Sequence, residues 1–132
     1  MSVTPLPPRS YLVVARLMPL AVLSQVGLAM FGIPLAGHVV IGGIVGAMAI
    51  LLVWLVRAAN PPSSQHSLAL GLLALVGLQP CLIALSPRFS ALAVLHGING
   101  FVILGVALAL ALDAEGAGTG SRPQTERRSV QQ

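Results

Sequence analysis

The chain has 132 residues, 56% of them hydrophobic and 8% charged, with a mean hydropathy of +0.93. A soluble domain carries about 25% charged residues, so this composition excludes an ordinary water-soluble enzyme, and the single cysteine, Cys81, excludes a disulfide scaffold. The net charge of +4 rests on arginines at segment ends, and aromatics are 4% of the chain; a nucleic-acid groove needs clustered charge, which is missing here.

Residues 1–10 form a short N-terminal segment rich in proline. Four apolar stretches follow, at about 11–33, 35–56, 68–86 and 90–112. Each matches the roughly 20 residues that a helix needs to cross a hydrocarbon layer. The apolar character is continuous rather than alternating, which predicts helices and not barrel strands. Gly32-Ile33-Pro34 and Ser86-Pro87-Arg88 are turn sequences, and links this short force antiparallel neighbours. The expected fold is all-α: an up-down-up-down four-helix transmembrane bundle built from two helical hairpins. The middle link, Arg57 to Ser67, is polar and expected to be exposed. Residues 113–132 are Gly-, Ser-, Thr- and Gln-rich and are expected to form a disordered tail.

Arginine placement sets an orientation. With the N-terminus inside, Arg9, Arg16, Arg57, Arg122, Arg127 and Arg128 all fall inside and only Arg88 outside. Both termini are therefore expected in the cytoplasm. No Ala-x-Ala site follows the first apolar segment, which predicts a span in place of a cleaved leader. Trp54 and Tyr11 lie near the expected inner headgroup level and read as interfacial anchors. The lysine-free usage, rich in Ala, Gly, Leu, Val and Pro, suits a GC-rich bacterial genome. The expected location is a bacterial inner membrane, with the lipid bilayer itself as the first partner.

Polar side chains inside the spans gather toward one end. His38 lies about 4–5 Å into the second span from its outer end, and His96 about 9 Å into the fourth. Gln25 and Gln79 lie on the order of 10–12 Å from the outer ends of the first and third, with Ser24 and Asn99 at similar depth. The hairpins also look repeated, since each second helix carries a histidine followed four residues on by glycine: His38 with Gly42, and His96 with Gly100. Polar groups in hydrocarbon face a bundle interior, so Ser24, Gln25, Gln79 and Asn99 are expected to form one layer with the histidines. Spans two and four are diagonal across such a bundle, which lets His38 and His96 face each other.

Two readings of that layer stand side by side. In the first, Gly42, Gly43, Gly46, Gly97 and Gly100 are sites of close helix packing, and the histidines hydrogen-bond across helices. In the second, the same glycines make room for a flat macrocycle. His38 and His96 are then axial ligands to a haem b iron, and Arg88 pairs with a propionate. No metal is expected other than through haem. Catalytic constellations are missing: Asp113, the only aspartate, lies at a span end, and no phosphate-binding glycine motif occurs. A proton-coupled exporter needs a carboxylate within a span, and none of the four has one.

Gly37-His38 opening the second span, Leu78-Gln79 in the third and Leu95-His96-Gly97-Ile98-Asn99-Gly100 opening the fourth resemble small four-helix bacterial membrane proteins grouped as a domain of unknown function. The resemblance covers about 11–112. It implies no established activity, but it implies that the histidines and Gln79 belong to one pattern. The histidine-bearing helix pair is also similar to b-type membrane cytochromes, although the second histidine pair of the di-haem forms has no counterpart here. The reading favoured on sequence is a small binding or accessory subunit, not an enzyme, within a larger membrane complex or a homo-oligomer. The rival reading is a mono-haem electron-transfer protein.

Overall fold

The computed structural model describes residues 9–31, 35–59 and 63–119. It contains four helices and, among the described residues, no strand: α1 (Arg9–Met30), α2 (Leu35–Ala59), α3 (Ser63–Leu85) and α4 (Ala91–Thr119). All four are long and apolar enough to cross a membrane. A helix satisfies its backbone polar groups within itself, which is what a lipid-embedded segment must do.

The helices close into a ring. α1 packs on α2 and α4, and α3 packs on α2 and α4, while the backbones of the diagonal pairs stay more than 8 Å apart, Cα to Cα, among the described residues. This is the up-down-up-down bundle that the short links demand. The turn between α3 and α4 is tied by Ser86 N–H to Ile83 C=O (3.2 Å) and Arg88 N–H to Leu85 C=O (3.1 Å).

Packing is uneven along the bundle axis. The end that holds the start of α1 and the end of α4 is solid. Tyr11, Met18, Leu52, Leu72 and Leu110 are fully buried there, with Ala15, Ala49, Ala69 and Ala107 filling between them. The alanines let the backbones approach closely, as in other membrane bundles. At the opposite end, which carries the histidines, fewer side chains are buried. Outside, large apolar residues such as Leu20, Ile50, Trp54 and Leu112 are exposed, as expected of a lipid-facing surface.

Three expectations need correction. The expected disordered tail does not begin at 113, because α4 continues to Thr119. Its last turns are held by neighbours: Ser64 Oγ donates to the Asp113 carboxylate (3.1 Å), and Arg16 Nε meets Glu115 Oε1 (3.0 Å). Residues 120–132 lie outside the described residues. The expected exposed link is also shorter, since α3 begins at Ser63 and Gln65 is only 1% exposed. Tyr11 is buried at the solid end rather than anchored at the lipid surface, whereas Trp54 is 64% exposed.

Candidate functional site

His38 enters the bundle from the first turn of α2 and His96 from the second turn of α4. The backbones of their helices stay more than 8 Å apart, Cα to Cα, yet their ring centroids lie 6.2 Å apart, with the planes tilted by 54°. The two side chains therefore meet across the bundle diagonal. The rings that the sequence places at different depths thus lie close together, tilted to one another and not stacked.

Each histidine is framed by the neighbouring helix of its hairpin, but in opposite ways. In the first hairpin the side chain comes from the first helix: Gln25 Nε2 donates to the His38 C=O at 2.7 Å. In the second hairpin the side chains come from the second helix. His96 Nδ1 lies 3.3 Å from the Gln79 C=O, and Asn99 Nδ2 donates to the Leu75 C=O at 2.9 Å. A carbonyl can only accept, so the His96 contact calls for a proton on Nδ1, and in a neutral ring so arranged Nε2 carries the lone pair. Pro80 sits beside this contact and leaves the Val76 C=O without its helical donor. His38 Nδ1, Gln25 Oε1 and Gln79 Oε1 are buried with no hydrogen-bond partner.

The repeat seen in the sequence has a structural counterpart. A Cβ placed on Gly42 would lie 2.8 Å from Gln25 Nε2, and one placed on Gly100 would lie 3.6 Å from Gln79 Nε2. In both hairpins, then, a glutamine amide lies over the glycine one turn beyond the histidine. Two hairpins running in the same direction give a pseudo-two-fold axis along the bundle.

A cavity of about 780 Å³ lies between the four helices at this end. His38, His96, Gln25 and Gln79 all line it, and the rest of its wall is mostly apolar. Its size is in the range of small-molecule and cofactor sites. The expected packing role of the glycines is not what the structure contains at three of the five positions. A Cβ on Gly43, Gly46 or Gly97 would meet nothing within 4 Å, so no neighbouring backbone presses there. These glycines face the cavity as wall.

Two other residues fall outside the site. Ser24 is exposed and bonds back to its own helix at the Leu20 C=O (2.9 Å), so it is not part of the shared polar layer. Such a bond satisfies a hydroxyl without a partner helix. Arg88 is exposed in the turn between α3 and α4 and does not line the cavity. The polar carbonyls of Leu75 and Gln79 were not legible as site groups, since nothing in a side-chain sequence marks a backbone acceptor; Pro80 was the nearest signal.

No group of three or more His, Cys, Asp or Glu that could hold a metal ion occurs among the described residues. A tetrahedral site of protein ligands therefore lacks donors here. Two facing imidazoles instead suit an ion whose remaining positions are filled by something planar. With metal–nitrogen bonds of about 2.0–2.1 Å, two imidazoles bound in line to one ion have centroids roughly 6.3 Å apart. The 6.2 Å centroid separation is close to that value, with the ring planes tilted by 54°. The chain matches no protein-family model, no curated protein and no solved structure.

Proposed function

We propose that this chain is a mono-haem b-type protein of a bacterial inner membrane, with both termini cytoplasmic and His38 and His96 as the axial ligands. The observation that carries the reading is the 6.2 Å approach of two imidazoles across the bundle diagonal. Support comes from the cavity around them and from the open faces of Gly43, Gly46 and Gly97. When bound, haem would supply one-electron transfer. The chain's own part is to present two nitrogen ligands, to orient one of them through the Gln79 carbonyl, and to line the site with mostly apolar walls. The arginines at the terminal ends of α1 and α2 support the stated orientation.

The test is a visible spectrum of the full chain, purified in detergent from cells supplied with haem, oxidised and then reduced with dithionite. A Soret band with resolved α and β bands on reduction is expected, and it should be lost in the double variant His38→Ala/His96→Ala. A folded but colourless protein overturns the reading. The histidines would then be hydrogen-bonding groups in a small accessory subunit.

A further inference from the structure

The two histidines are held very differently. His96 is anchored at Nδ1 to the Gln79 carbonyl. One turn further on, Asn99, which is 7% exposed, ties the same face of α4 to the Leu75 carbonyl. Ring and helix are thus fixed to α3 by two bonds. On the other side only the backbone of His38 is held, by Gln25, and its Nδ1 is buried without a partner. With no partner at Nδ1, no hydrogen bond at that atom opposes a swing of this ring. The cavity wall beside it on α2 contains Gly43 and Gly46, whose Cβ positions are open, so space exists for the movement.

We infer that His96 is the fixed ligand and His38 the exchangeable one, so that the reduced site takes up a small diatomic molecule of the carbon monoxide class on the α2 side. This rests on the haem reading. With haem bound, His38 would be the ligand that leaves, its imidazole keeping its own electron pair, and the incoming molecule would supply a carbon lone pair in its place, so that no electron or proton would be gained or lost. Ligating histidines ordinarily donate their second ring N–H to an acceptor, and loss of such support costs on the order of 10–100-fold in metal affinity. His96 has that support and His38 lacks it.

The experiment uses full-length detergent-purified protein reduced with dithionite and mixed with carbon monoxide. Soret shifts are followed in time, and haem content is measured per chain. The wild type is expected to bind carbon monoxide. His38→Ala should keep its haem and bind at least about tenfold faster, because no internal ligand competes, and His96→Ala should lose haem on the order of 10–100-fold more readily. Haem present in the wild type with no response to carbon monoxide overturns the inference and leaves the haem reading standing. Equal haem loss in the two variants also overturns it. If His96→Ala does not fold, His38→Ala decides alone: haem retained with faster binding supports the inference, and haem lost refutes it. A wild type that binds no haem removes both this inference and the reading beneath it.

Discussion

At the residue scale the two glycines that follow the histidines should behave differently. Gly42 lies under the Gln25 amide closely enough that an added methyl would meet Nε2 at 2.8 Å, while at Gly100 the same methyl would make ordinary contact at 3.6 Å. Gly42→Ala must push Gln25 off the His38 carbonyl, and interhelical hydrogen bonds in a membrane protein average about 0.6 kcal/mol. Gly100→Ala gains helix propensity of roughly 0.5–1 kcal/mol with little to oppose it. Both substitutions gain that propensity, but only Gly42→Ala also loses the Gln25 bond, so thermal unfolding in detergent should rank Gly100→Ala above Gly42→Ala. Equal midpoints for the two variants would show that the Gln25 contact carries no weight. The histidines were legible in the sequence as a pair because they recur at matched distances from glycine. Their opposite modes of support were not, because a backbone carbonyl as partner has no residue type to announce it.

At the scale of the elements, the ends of α1, α3 and α4 near the termini share a polar seam. Arg16 of α1 meets Glu115 of α4, and Ser64 and Gln65 of α3 reach Asp113 of α4, through its carboxylate at 3.1 Å and its C=O at 3.5 Å. The Arg16 and Glu115 side chains are 62% and 45% exposed, so the pair is screened, and Arg16→Ala should cost no more than about 1 kcal/mol. Denaturant unfolding of that variant checks it. The apolar layer beneath is another matter. Leu52 is fully buried, and Leu→Ala in soluble cores costs about 2–5 kcal/mol. Lipid is as apolar as leucine, so only the packing part is lost here, and Leu52→Ala should fall near about 2 kcal/mol. The extents of the helices were largely readable from apolar runs, within a turn or so at most ends. The early start of α3 and the late end of α4 were not, because polar residues that look like linker in sequence become helix when a neighbouring helix supplies their partners.

At the scale of the whole molecule, the bundle is solid toward the termini and hollow toward the histidines. On the proposed topology the hollow end would lie at the outer face of the membrane. In a Cys81→Ala background, Arg88→Cys should be labelled by a membrane-impermeant maleimide added to intact spheroplasts, and Ser63→Cys should be labelled only after lysis. The reverse pattern would invert the protein and place the cavity on the cytoplasmic side.

By itself the sequence determined four membrane-length helices, their antiparallel order and the pairing of His38 with His96 as matched positions. These follow from hydropathy, link length and repeat spacing, all of which are properties of the chain. Tertiary structure decided what no spacing contains. It brought two rings on diagonal helices to 6.2 Å, left the space beside Gly43, Gly46 and Gly97 open, and gave a carbonyl partner to one histidine's Nδ1 but not to the other's. The physical reason is that helix rotation and tilt are set by packing against neighbours. In lipid that packing is decided by the fit of many small side chains at the solid end, far along the chain from the residues it positions.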